Sequence, residues 1–267
     1  MDQEYFLTRQ EVVEFHERGV LGPFRACSVD EMTTIREHVV DHTLGTDGPW
    51  SVGECPQAVT EDIPKHVRCV DRHVDCALVS DLCRRPEITE RMASLSGGNV
   101  MLMHQMFWNK QPGGKEIPWH QDGTVYANQP QINVTAWIAL DPATEENGCV
   151  ELVPGSHRQR FEHVEATGDK WFDFEANPDA IEGKTVSMEL EPGEFFLFTE
   201  STLHRSSENT SDRRRLGMSM QCTVPFAYML PDEGIKPHHY LMMLHGENTG
   251  INDVVKPPQT CEHEMAD

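Results

Sequence analysis

The chain has 267 residues, with 44 Asp and Glu against 22 Lys and Arg, and a formal charge of −22. A field of that sign offers no long-range attraction to phosphate backbones or anionic lipid, which argues against a nucleic-acid or membrane-surface role. Hydrophobic residues at 38% and charged residues at 25% are the balance of a globular chain, long enough for one domain with a substantial core.

Residues 1–98 carry mostly helical spacing. Thr8-Arg9-Gln10-Glu11 is a capping box opening a helix with Val12, Val13 and Phe15, and Ser28-Val29-Asp30-Glu31 repeats the device before Met32, Ile35 and Val39. A third helical stretch runs from Cys76 to Leu82, halts near Pro86 and resumes to Leu95. Residues 44–70, rich in Gly, Pro and acid, read as a long loop. From residue 99 the period becomes that of strands, at Asn99–Phe107, Ile132–Leu140, Cys149–Val153, Thr185–Leu190, Glu194–Thr199 and Leu216–Val224. Asn147-Gly148, Pro154-Gly155 and Pro192-Gly193 supply the turns. The expected fold is mainly β with flanking helices, around a double-stranded β-helix (a cupin-like jelly roll) over 99–224. A C-terminal extension covers 225–267, and the whole 1–267 reads as one domain. Residues 157–184, with Trp171, Phe172 and Phe174, show no clear period and are expected to loop over the barrel mouth. Lys110-Gln111-Pro112-Gly113-Gly114 reads as a structural loop.

No apolar run reaches the roughly 18 residues of a membrane span, and the N-terminus lacks the order of a secretory signal. The eight cysteines (27, 55, 69, 76, 83, 149, 222, 261) include no CxxC pair and read as reduced thiols of a cytoplasmic protein.

The sharpest local feature is Pro118-Trp119-His120-Gln121-Asp122-Gly123. In a strand, His120 and Asp122 project from one face, and an imidazole and a carboxylate aimed at one point are two ligands of a 2-His-1-carboxylate triad. The plainer reading is a His–Asp hydrogen bond at a strand end. His204, after the apolar Glu194–Thr199 strand, supplies a third ligand. Beyond it come Arg213, Arg214 and Arg215, and a guanidinium there can fork onto the far carboxylate of a dicarboxylic cosubstrate. Strand alternation puts Arg213 and Arg215 on one face and Arg214 on the other.

These residues belong to a longer series: Trp119-His120-Gln121-Asp122, Val134 to Asp141, Glu146 to Cys149, Pro154-Gly155-Ser156-His157, and His204-x-Ser206 with Asn209, Ser211 and Arg215. In order and approximate spacing, over residues 100 to 224, the series resembles the phytanoyl-CoA dioxygenase family. The resemblance implies an Fe(II)- and 2-oxoglutarate-dependent dioxygenase using O2, with His120, Asp122 and His204 as catalytic metal ligands. It puts Arg215 at the cosubstrate anchor and Ser206 beside it, with Thr135, Trp137 and Gln105 lining the cosubstrate. Its halogenating relatives replace the carboxylate with Gly or Ala, so Asp122 points to oxygen insertion. One departure is Arg205, where the family usually has Gly. His104, Trp108, Asn109, Tyr126 and Arg205 are candidates to face substrate. His157, His238 and His239 read as structural or surface residues. The expected activity is hydroxylation of an unactivated C–H bond of a small polar or amino-acid-like metabolite, with release of succinate and CO2. The small molecule is the expected partner, and neither nucleic acid nor membrane is. The same cofactor chemistry can also give desaturation or ring formation. Rivals of another class are a zinc hydrolase on the same ligands and a cupin-like binding module.

Overall fold

Thr8 opens helix α1 (Arg9–Arg18) as the capping box predicts: its hydroxyl accepts from the Glu11 amide, and the Glu11 carboxylate accepts from the Thr8 amide at 2.7 Å. These features come from a computed structural model that describes residues 4–44, 70–124, 128–229 and 240–259. Most of the 44–70 loop, Tyr126, His238, His239, and Cys55, Cys69 and Cys261 lie outside the described residues. Ser28 caps α2 (Val29–His38) through the Glu31 amide, but the Glu31 side chain leaves the box to pair with Arg85. Helices α3 (Ala77–Cys83) and α4 (Pro86–Leu95) break where expected. Pro86 sits in the first turn of α4, where a missing N–H goes unnoticed.

The strands, in chain order, are β1 (Val20–Arg25), β2 (Val100–Lys110), β3 (Ile117–His120), β4 (Asn128–Gln129), β5 (Val134–Ala139), β6 (Val150–Leu152) and β7 (His163–Glu165). They continue as β8 (Phe174–Ala176), β9 (Val186–Met188), β10 (Glu194–Thr199), β11 (His204–Ser206), β12 (Arg215–Thr223), β13 (Tyr228–Met229) and β14 (Met242–His245). The major sheet has the order β1-β10-β5-β12-β2-β14 and the minor sheet the order β3-β11-β6-β9. Pairing within both is antiparallel, and the two sheets face each other as the expected double-stranded β-helix.

Two of the apolar clusters take side chains from opposite faces of the major sheet. Val134, Ala136 and Ile138 of β5 join Phe195, Leu197, Leu216, Met218 and Met220 against Phe15, Met32, Leu82 and Met92 of the helices. Trp137 and Ala139 join Phe196, Phe198, Val150, Leu152 and Met188 between the sheets. The alternation of β5 thus separates two buried faces rather than core from solvent. This matters for the site, because everything that could meet a ligand must come from the inter-sheet face.

Strand β2 runs on to Lys110, so Lys110 ends a strand and does not begin the loop expected there. The 157–184 segment is also more ordered than expected. It contains the β7–β8 hairpin, and the Trp171 amide donates to the Glu116 carbonyl just before β3. Cys27, Cys76, Cys83, Cys149 and Cys222 are free thiols, all buried. Among the described residues, no helix is long and apolar enough to cross a membrane.

Candidate active site

His120 ends β3 and His204 opens β11, and the two are direct partners in the minor sheet. Their rings lie 4.1 Å apart between centroids. Asp122 is not the next inward residue of a strand, as the HxD spacing suggested. The strand stops at His120 and Asp122 begins a single tight helical turn, Asp122–Thr124. The outcome is nevertheless convergence: His120 Nε2 and His204 Nε2 lie 3.5 and 3.8 Å from Asp122 Oδ1. One donor atom from each of the three side chains falls within 4.8 Å of the others.

The backbone prepares both imidazoles. His120 Nδ1 contacts the Pro118 carbonyl at 2.8 Å and His204 Nδ1 contacts the Thr202 carbonyl at 2.9 Å. A carbonyl can only accept, so each ring carries its proton on Nδ1 and turns the Nε2 lone pair towards Asp122. Burial, with His120 adding to it, pushes the pKa of His204 down to about 4, against the opposing pull of Asp122. Burial alone would raise the Asp122 carboxyl, but His204 and His120, helped by a hydrogen bond from Gln221, hold it below its ordinary value. A neutral His204 and an ionised Asp122 are in the protonation states a metal requires. The chain between the ligands is pinned by Gln121. Its amide donates to the Gln159 and Ser201 carbonyls at 2.8 and 2.6 Å and accepts from the Phe161 amide at 2.9 Å. From the same 157–184 segment, Phe172 sets its ring edge-on to His120 at 5.0 Å.

Further along the same inter-sheet face lies Arg215, the first residue of β12, with 1% of its surface exposed. Its Nε and Nη2 are buried without a hydrogen-bond partner, and the guanidinium sits 5.3 Å from the Trp137 ring. Lys110 is its register partner on β2. The Lys110 ammonium is buried too, and donates to Ser206 Oγ at 2.7 Å and to the carbonyls of Ser206 and Ser207 at 3.0 and 2.6 Å. Burial, with Arg215 beside it, pushes the Lys110 pKa down to about 6. Ser206 itself donates to the Gly148 carbonyl at 2.7 Å. A buried guanidinium with donors unspent, beside a buried Lys110 whose charge a bound anion would restore, forms a cradle that a carboxylate completes.

Arg213 and Arg214 do not compete for this place. Alternation does not reach Arg213, because β12 starts only at Arg215, and Arg213 lies exposed beside Glu146. Arg214 forks onto Asp141 at 2.8 and 3.1 Å.

The remaining expected residues divide by face. Thr135 and Trp137 of β5 lie on the inter-sheet face, Trp137 beside Arg215 and Thr135 paired with Gln221 towards the other end of β12. Trp108 is inward as well, opposite Gly217, and its Nε1 donates to Ser219 Oγ at 2.9 Å. His104 pairs with Gln221, and its Nδ1 is 3.0 Å from Asp71 Oδ1. Gln105 and Asn109 must be corrected: their partners Met220 and Leu216 belong to the helix-side core, so both point away from the site. The Gln105 carbonyl oxygen accepts instead from the Arg72 amide, and Asn109 accepts from Gln111. Arg205 is likewise turned outward, one residue out of phase with His204. It forks onto Glu151 at 3.2 and 2.9 Å and lies over Trp119. His157 bonds the His16 carbonyl, away from the triad, and Tyr126 falls outside the described residues. Lys110 and Gln221 are among the site-facing polar residues that the motifs did not mark.

Gly217 explains how Trp137 fits. A Cβ built on Gly217 would fall inside the Trp137 indole, which is backed by Phe196 at 6.0 Å. Gly217→Ala is therefore expected to destabilise the fold by about 1–3 kcal/mol and to weaken carboxylate binding beside Arg215. Chemical denaturation with a parallel 2-oxoglutarate titration checks both effects.

A double-stranded β-helix that brings two imidazoles and one carboxylate to a single point is the architecture of the mononuclear non-haem oxygenases. The comparison with known proteins narrows this class. The model of the phytanoyl-CoA dioxygenase (PhyH) family matches residues 15–217, and the chain belongs to that family. It is 31% identical over 145 residues to a phytanoyl-CoA dioxygenase of Arabidopsis thaliana, covering 54% of this chain and 51% of that one. It therefore spans about half the length of that relative. Against a probable alpha-ketoglutarate-dependent hypophosphite dioxygenase of Stutzerimonas stutzeri it is 26% identical over 263 residues, covering 95% of this chain and 91% of the other. Among solved structures it resembles CytC3 with Fe(II) and alpha-ketoglutarate, at 26% identity and a TM-score of 0.67, covering 94% and 93% of the two chains. The cofactors of this family are Fe(II) and 2-oxoglutarate, and the donor set and the cation cradle described above fit both.

Proposed function

We propose that the chain hydroxylates an unactivated C–H bond of a small polar or amino-acid-like molecule, converting substrate, O2 and 2-oxoglutarate into alcohol, succinate and CO2. His120, Asp122 and His204 would hold Fe(II), and Arg215 would hold the far carboxylate of 2-oxoglutarate. Iron bound there supplies the O2 activation that the protein's own side chains cannot. The protein contributes placement. The carbonyls of Pro118 and Thr202 fix the imidazole tautomers, the Gln121 anchor fixes Asp122, and Trp137 and Lys110 fix the surroundings of Arg215. The observation that carries this reading is the buried guanidinium of Arg215, with two unpartnered nitrogens, on the same face as the triad. A zinc hydrolase on the same three ligands has no use for that cation.

The test is an anaerobic titration of metal-free protein with Fe(II) and then 2-oxoglutarate, watching for the visible charge-transfer band of the chelate. A band in the native chain is the expected result, followed by a screen for succinate release with candidate substrates. Bound iron without a band overturns the 2-oxoglutarate assignment and brings the hydrolase forward.

A further inference from the structure

The polar groups at the opposite end of β12 are not used by metal or cosubstrate in the reading above. Gln221 lies six residues beyond Arg215, roughly 20 Å along an extended strand. Its side chain faces the Asp122 carboxylate and helps to keep it ionised. Cosubstrate reaching from the triad to Arg215 therefore runs in one direction from the metal, and Gln221 stands on the other side. The carboxylate can only accept, so the NH2 of Gln221 must face Asp122. Its carbonyl oxygen is then turned elsewhere, and that oxygen is buried without any hydrogen-bond partner, in a residue only 6% exposed. An orphaned buried acceptor is costly unless a ligand supplies the donor.

A second observation falls at the same place. His104 is the register partner of Gln221, and its ring is fixed by Asp71. Asp71 is itself buried, takes the Gln105 amide at 3.1 Å, and holds a left-handed backbone conformation at φ 51°. A residue other than Gly kept in that region is strained, and such strain gathers where a side chain must be aimed. Thr135 is the neighbour of Gln221 on the other flank, through β5. Both polar neighbours and the orphaned oxygen thus sit on the substrate side of the triad.

We propose that the Gln221 carbonyl oxygen, beside the Asp71-oriented imidazole of His104, receives a hydrogen-bond donor of the substrate. The substrate is then an amine- or hydroxyl-bearing small molecule and not a bare oxyanion. This rests on the oxygenase reading and deepens it. An oxyanion such as hypophosphite presents acceptors to an acceptor, so the full-length relative's named substrate class is disfavoured here despite the shared fold. Gln221 acts as a specificity residue towards substrate and as a positioning residue towards Asp122.

The test uses the full chain loaded with Fe(II) and 2-oxoglutarate. Succinate release is measured with a panel of small amines, amino acids and alcohols, each matched to an analogue whose N–H or O–H group is replaced by methyl. Hypophosphite is run as a separate arm, and Gln221→Met is run throughout. The expected hits carry the donor, with kcat/KM at least about 10- to 100-fold above their matched analogues. In Gln221→Met the visible chelate band persists while KM for those hits rises about 10-fold or more and the preference over analogues collapses. Hits that lack a donor, turnover of hypophosphite, a preference unchanged in Gln221→Met, or a panel with no donor-bearing hit each overturn the proposal. Failure of the oxygenase reading looks different, because then no chelate band forms in the native chain.

Discussion

Arg215→Met is expected to weaken 2-oxoglutarate binding by about 100-fold or more while raising the stability of the unliganded protein. The two effects have one cause. The guanidinium is held where water cannot reach it, with Nε and Nη2 unpartnered and Lys110 as its neighbour. Burial pushes its pKa down to about 10, a sign that the charged form is disfavoured unless an anion lies beside it. A bound carboxylate would reverse that balance through charge-assisted hydrogen bonds, and truncating one partner of a buried pair of this kind typically costs about 2–5 kcal/mol of binding. Without the carboxylate, Met fills similar volume and removes an uncompensated charge, which stabilises by about 1–3 kcal/mol. At this chain length that is an increase of several degrees in Tm, at about 2–4 °C per kcal/mol. Differential scanning calorimetry of the metal-free variant and a chelate-band titration measure the two sides. A variant that is less stable and binds 2-oxoglutarate normally would remove Arg215 from the anchor role. Lys110 belongs to the same arrangement, since its three hydrogen bonds hold Ser206 and the turn after it against the cradle.

What could be read from residues alone follows how tightly chemistry restricts residue type. His120, Asp122 and His204 stood out because few side chains bind a metal, and their spacing survives an error about local structure. The strand predicted through Asp122 in fact ends at His120, yet both side chains still converge. The lining residues were harder. Alternation separates buried from exposed positions, but β2 and β5 are buried on both faces, so nothing in hydrophobicity distinguishes the inter-sheet side from the helix side. A register irregularity between Gln221 and Cys222 further shifts which residues of β2 look inward beyond His104. Gln105 and Asn109, in the regular part of that pairing, fall on the helix side because burial on both faces of β2 leaves residue type unable to separate them. Arg205 shows the converse case, where simple alternation from His204 would have placed it outside. Lys110 resembled a loop residue because a charge before Gln-Pro-Gly-Gly usually is one. Its burial depends on acceptors from Ser206 and Ser207, almost a hundred residues away, which no local pattern reports.

Asp122→Asn is the sharpest probe of the triad because it keeps shape and removes only the charge. Iron affinity is expected to fall by about 100-fold or more, since a neutral amide replaces the one anionic ligand, and loss even of an outer partner costs 10- to 100-fold. The same substitution carries a pH signature that needs no iron. In the native metal-free chain His204 is held neutral down to about pH 4 by burial and by His120, while Asp122 opposes both by favouring the imidazolium. The unfolded chain takes up that proton near its ordinary value of about 6.5. As pH falls from about 6.5 to 4, the unfolded state therefore binds the proton first, and stability drains away across that window. Above it the contribution is fully present, and below about 4 the folded state is protonated as well. In Asp122→Asn the favourable pull on the imidazolium is gone, so the His204 midpoint moves below 4 and the acid loss extends to lower pH. An NMR titration of the His204 ring in both proteins reads the two midpoints directly. A midpoint that stays put or rises on substitution would mean that the imidazole and carboxylate do not face each other and that the three side chains are not one site.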